Sequence, residues 1–90
     1  METRATEQNI LKYLQVLRDL KLILDNTSRL SMFEFSKKYQ VTKNLSTVLQ
    51  KGGIIKLINK GRYTQWEWTS IEPNRNMAIK TLQELAKFNK

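Results

Sequence analysis

Residues 48–68 read VLQKGGIIKLINKGRYTQWEW, and the pattern changes twice within them. Val48 and Leu49, with Leu45 just upstream, recur at the spacing of one helix face. Gly52-Gly53 follows, and either glycine can take the left-handed conformation that ends a helix. Two alternating runs come next, flanking Lys60, Gly61 and Arg62. With Lys60-Gly61 as the loop, Ile55 faces Trp66, Leu57 faces Thr64 and Ile58 faces Tyr63. One face then collects Ile55, Leu57, Trp66 and Trp68; the other shows Lys56, Gln65 and Glu67, with Ile54, Ile58 and Tyr63. A longer loop that includes Asn59 would shift this register. The stretch is therefore a helix end joined directly to a hairpin with a charged tip.

Upstream, residues 6–24 predict one long helix, with Ile10, Leu14, Leu17, Leu20 and Leu24 on its main stripe. Thr6 or Thr3 would cap it, and Glu7 would sit at the positive end of its dipole. Leu11, Tyr13, Val16, Leu22 and Ile23 widen the apolar face, which fits either deep burial or a second subunit. Asp25-Asn-Thr-Ser28 signals a turn, and residues 29–31 a brief strand. Ser31 followed by Glu34 has the capping-box spacing, opening a helix over residues 32–39. Phe33 or Phe35 would point inward, Lys37 and Lys38 outward. After a turn at residues 40–42, Thr42 would cap a helix over residues 43–51. Pro73 would open a last helix over residues 74–88, with Ala78, Leu82 and Leu85 inward. The chain has 90 residues and no repeat or linker, so one domain over residues 1–90 is expected.

The charge is uneven. Seven of the 16 basic residues (Lys37, Lys38, Lys43, Lys51, Lys56, Lys60 and Arg62) fall in residues 35–66, which hold none of the eight acids. The rest of the chain carries nine basic and eight acidic residues, so nearly all of the net +8 belongs to this block. A one-signed block beside a balanced remainder is the electrostatic footprint of a polyanion site. Cysteine and histidine are both absent, which excludes disulfides, thiol catalysis, Cys/His zinc sites and imidazole bases. The scattered acids offer no carboxylate metal site, Gly52-Gly53 is not a phosphate loop, and no cofactor or enzymatic activity is expected. No apolar run approaches a membrane span, and the polar N-terminus is unlike a signal peptide. A cytoplasmic protein is the expectation, and its Lys, Asn and Ile content points to an AT-rich bacterial, phage or plasmid genome.

The order helix, helix, turn, helix, hairpin, helix, with Leu49-Gln-Lys-Gly-Gly-Ile-Ile55 at the join, resembles the winged helix-turn-helix family over residues 31–68. Residues 41–49 are shorter than in many members. The resemblance implies an α+β, mainly helical fold and sequence-selective binding of double-stranded DNA, in transcriptional regulation or as a partition or replication accessory. The recognition helix, about residues 43–51, would enter the major groove, and the wing tip, residues 59–62, would reach phosphate or the minor groove. Asn44 and Gln50 suit adenine; Lys43 and Lys51 suit guanine or phosphate. Thr42, Ser46 and Thr47 add hydroxyls, and Thr47 a methyl for thymine. Lys60, Gly61 and Arg62 would hold the wing, with Tyr63 beside them, and Lys37, Lys38 and Lys56 would position flanking phosphates. Trp66 and Trp68 would suit base stacking in a single-strand binder, but the face they share with Ile55 and Leu57 points instead to core packing. A homodimer through the first and last helices would double the interface. The alternatives are RNA or an acidic protein partner bound by the same surface.

Overall fold

A computed structural model describes residues 4–27, 29–42, 44–59 and 64–88. Among the described residues, four helices and two strands follow one another: α1 (Glu7–Asn26), α2 (Met32–Lys38), α3 (Leu45–Lys51), β1 (Ile55–Asn59), β2 (Gln65–Trp68) and α4 (Arg75–Phe88). The fold is α+β and mostly helical, with one antiparallel two-stranded hairpin.

α1 begins where its sequence says it should. The Thr6 hydroxyl accepts the Asn9 N–H at 3.3 Å, and Glu7 occupies the first turn. Its inner face is broader than the main stripe: Tyr13 and Val16 are buried along with Ile10, Leu17, Leu20 and Leu24, while Leu14 is only half-buried. This face meets α4, whose Ala78, Leu82 and Leu85 are fully enclosed. Burying one such leucine contributes roughly 1.5–3 kcal/mol, so the α1–α4 seam carries much of the stability. α4 starts after the buried Pro73, with the Asn74 carboxamide oxygen accepting the Met77 N–H at 2.9 Å. The hydroxyl of Thr81, buried in the same helix, is satisfied by donating to the Met77 carbonyl at 2.8 Å.

Both short helices close with the same device. α2 is capped by Ser31, whose hydroxyl accepts the Glu34 N–H. At its other end Val41 N–H reaches the Ser36 carbonyl and Gln40 N–H the Lys37 carbonyl, the two bonds of a Schellman turn. Gln40 takes the left-handed position at φ 55° with a side chain in place. α3 repeats the motif with glycine: Ile54 N–H bonds Leu49 and Gly53 N–H bonds Gln50, with Gly53 at φ 73°. Gly52 keeps ordinary helical dihedrals, so of the two glycines only Gly53 supplies the reversal.

The hairpin corrects the expected register. Ile55 pairs with Trp68, Lys56 with Glu67 and Leu57 with Trp66; an irregularity at Ile58 then sets Asn59 against Gln65. The expected pairs Ile55–Trp66 and Leu57–Thr64 do not form. The offset is two residues, and side chains alternate with period two, so the face of Ile55, Leu57, Trp66 and Trp68 survives intact. The connecting loop is correspondingly longer than Lys60-Gly61. A bridge between Arg29 and Gln65, with Leu30 N–H donating to the Thr64 carbonyl at 3.1 Å, places the brief segment at residue 29 on the free edge of β2. Phe35, not Phe33, is the inward aromatic of α2; Phe33 is exposed.

Candidate nucleic-acid interface

α3 has two unlike faces. Leu45, Val48 and Leu49 are buried, and α3 packs against α4 and β1. Thr47, Gln50 and Lys51 are exposed on the other side, with Asn44 and Ser46 half-buried on the flanks. A short helix anchored by three apolar side chains therefore presents an unbroken polar surface, because none of its remaining positions is apolar.

The helix is shorter than expected. It begins at Leu45, with Asn44 at the cap position in helical dihedrals and without a side-chain cap bond. Thr42 does not cap it: the Thr42 hydroxyl accepts the Asn44 N–H at 3.3 Å and its carbonyl the Leu45 N–H, which closes a turn in front of the helix. Lys43 lies outside the described residues, as do Lys60, Gly61, Arg62 and Tyr63, so the wing tip does too. Asn59, expected at that tip, is the last residue of β1.

The described lysines of the basic block stand free of acids in one sense and not in another. Ion pairs among the described residues are Lys21 with Asp25 and Glu72, Arg75 with Glu7, and Lys87 with Glu84, all outside residues 35–66. Lys37, Lys38, Lys51 and Lys56 are exposed and form none; Lys38 instead lies 5.5 Å from the Tyr39 ring centroid. Yet the acid-free run ends at Trp66, and the register sets Glu67 directly across from Lys56. A run free of acids along the chain is thus not free of them in space, and Lys56 is the weakest of the phosphate candidates.

Arg29 was not among the residues singled out by sequence. Its bridge to Gln65 brings an exposed cation to the hairpin edge without an ion pair among the described residues. The signal was present in the short strand at residues 29–31. Two bonds fix α2 and its turn to α1: the Tyr39 hydroxyl donates to Asp19 at 2.8 Å, and the Lys12 ammonium donates to the Gln40 carbonyl at 3.3 Å. The Asp19 carboxylate holds the Tyr39 phenol above its ordinary pKa, since ionisation would lose that hydrogen bond.

Among the described residues, no three His, Cys, Asp or Glu side chains gather where they could hold a metal, and no helix is long and apolar enough to cross a membrane. Compared with protein-family models, curated proteins and solved structures, the chain matches none.

Proposed function

We propose that the chain is a winged helix-turn-helix module that binds double-stranded DNA, with α3 in the major groove and the hairpin tip on phosphate or in the minor groove beside it. One observation carries the reading: the face of α3 turned away from the core consists of hydrogen-bonding and cationic groups, and its Lys51 forms no ion pair among the described residues. Asn44, Gln50, Ser46 and Thr47 match the donor, acceptor and methyl code of base edges; Lys51 at the helix end faces phosphate or guanine. The Schellman turn at Gly53 sends the chain straight from that helix into β1, and Lys60 and Arg62, outside the described residues, are the cations this reading assigns to phosphate beside the groove. Arg29, Lys37 and Lys38 supply sequence-independent phosphate contacts.

A homodimer through α1 and α4 belongs to the same proposal. The seam between these helices consumes most of their apolar residues, so such a dimer uses what remains outside: Leu11, Leu22 and Phe88, which are 56%, 62% and 42% exposed.

Selection from random duplexes at fixed salt, with the mass of the bound complex measured, tests both halves. The expected result is a preferred half-site, and a log–log salt slope of about −4 to −5 if about five phosphates are neutralised. Lys60→Ala with Arg62→Ala weakens binding to all sequences and flattens the slope, whereas Asn44→Ala or Gln50→Ala relaxes preference at one or two base pairs. A chain that ignores duplexes but binds RNA or an acidic protein through the same residues refutes the DNA assignment.

A further inference from the structure

A groove of about 790 Å³ runs between the end of α3 and α4; it shares Lys51 with the outward face of α3 but none of Asn44, Ser46, Thr47 and Gln50. Val48, Ile54 and Met77 supply its apolar lining and Ile71 its rim, with Lys51 and Lys80 among the polar residues around it. It follows α4 from Asn74 to Glu84, ten residues of helix, or about 15 Å. That is the length of four or five extended residues rather than the diameter of a small metabolite.

Its walls are fixed in advance. The Trp68 indole N–H donates to the Ile71 carbonyl at 3.1 Å, and the Thr69 hydroxyl to the Gly53 carbonyl at 2.9 Å. Thr69 N–H also bonds Ile54, and Asn74 caps α4 through Met77. These bonds hold Ile71 in water at 68% exposure, where an aliphatic side chain gains nothing. The charges at the groove are one-signed once internal pairs are removed: Glu84 is held by Lys87 at 3.0 Å, while Lys51 and Lys80 have no ion pair among the described residues.

We infer that this groove is a docking site for a short acidic, amphipathic segment of a partner protein. An apolar side chain of the segment would sit on Val48, Ile54 and Met77 under Ile71, with carboxylates on either side reaching Lys51 and Lys80. Length, an apolar floor and two free cations together select that chemistry over a neutral peptide or a nucleic acid, which has no apolar side chain to bury. The site shares only Lys51 with the proposed DNA surface; its test contains no DNA and probes Lys80 and Ile71, which that surface does not use.

The probe is a fluorescein-labelled 12-residue peptide of alternating Leu and Glu, read by polarisation against the full chain. Binding in the range of tens of micromolar is expected. Lys80→Glu weakens it more than about tenfold, because it sets like charges together. Ile71→Ala weakens it about fivefold, the loss of one partly covered aliphatic contact. Both positions are exposed, so the fold tolerates the changes, and unchanged far-ultraviolet dichroism checks this. Arg18→Glu, the same charge change on α1, leaves binding within about twofold. A probe with Ser in place of Leu, equally acidic, binds at least about tenfold more weakly.

Absence of binding overturns the inference. So does equal loss in Arg18→Glu and Lys80→Glu, or equal binding of the Ser probe, since either reduces the effect to net charge. Sedimentation that shows self-association abolished by Ile71→Ala or Lys80→Glu assigns the groove to a second copy of the chain and overturns it as well.

Discussion

Glu7, Asp25, Glu72 and Glu84 each hold a cation on the α1–α4 side of the molecule, while Lys37, Lys38, Lys51 and Arg29, around α2, α3 and the hairpin, hold to no acid among the described residues. The two sides differ in burial as well. α1 and α4 are long and close a continuous apolar seam on each other; α2 and α3 have seven residues each and are kept in place by caps, turns and a few inward side chains. The first region pairs these acids internally, with Lys80 left without an ion pair among the described residues. The second is stabilised by local geometry and leaves its polar groups turned outward. Rigid support beside an electrostatically unspent surface is the arrangement a binding module needs, because a preorganised site loses little entropy on meeting its ligand.

The largest effect expected from breaking this contrast is on the seam. Leu82→Ala removes a fully buried side chain between α4 and the rest of the core and should cost about 2–5 kcal/mol in chemical denaturation, whereas Leu22→Ala, at 62% exposure, should change stability by less than about 0.5 kcal/mol. Equal costs would mean that the seam is not where stability resides. Next comes charge. Lys51→Glu should lower duplex affinity by more than about tenfold and reduce the salt slope, while Lys87→Ala on α4 should do neither. Lys56→Ala should have the smaller effect within the basic block because Glu67 lies across the strand pair from it.

The two Schellman turns sharpen the comparison further. Gly53→Ala meets no atom within 4 Å, so its cost of about 1 kcal/mol is the left-handed backbone alone. Gln40→Gly should move stability the other way by up to about 1 kcal/mol, since it relieves the same strain, less the entropy that glycine adds to the unfolded chain. Thermal denaturation of the two variants reads both signs. If Gln40→Gly destabilises, the Gln40 side chain holds the turn by a contact that outweighs the strain.

The smallest effect concerns Glu7. A hydrogen bond from the Arg75 guanidinium holds its carboxyl below the ordinary value of 4.5. A carboxylate with a depressed folded pKa contributes stability that is complete above the unfolded value and lost as pH falls through the folded one. Glu7→Gln should therefore flatten melting temperature against pH on the acid side, between about pH 3 and 5, and leave it nearly unchanged above pH 7. A profile parallel to that of the parent chain would show the pair to be energetically silent.

The elements themselves were legible in the sequence because each carried a period or a cap: the stripe of α1, Ser31 before Glu34, the paired glycines, and Pro73 before α4. Three features were not. The hairpin register moved by two residues because alternation fixes which face a residue takes and says nothing of how far one strand slides along the other. α3 starts two residues later than expected because a threonine that bonds two residues ahead can close a turn as readily as cap a helix, and Thr42 does the former. Gln40 in the left-handed region had no sequence signal, since glutamine has no preference for it. At the candidate site the polar face of α3 followed from where its apolar residues fall. Glu67 opposite Lys56, and Arg29 beside the hairpin, needed the strand pairing that composition does not contain.

The irregularity at Ile58 has a further consequence for the hairpin. Between the core and this point, the strands are phased by Ile55, Leu57, Trp66 and Trp68; beyond it, Asn59 and Gln65 pair with one residue of slack taken up. The pairing of Asn59 with Gln65 is therefore phased separately from that of the base. A change in the number of residues between the strands can be absorbed at this irregularity without turning Trp66 out of the core, so the length of this hairpin can diverge while the body beneath it stays the same.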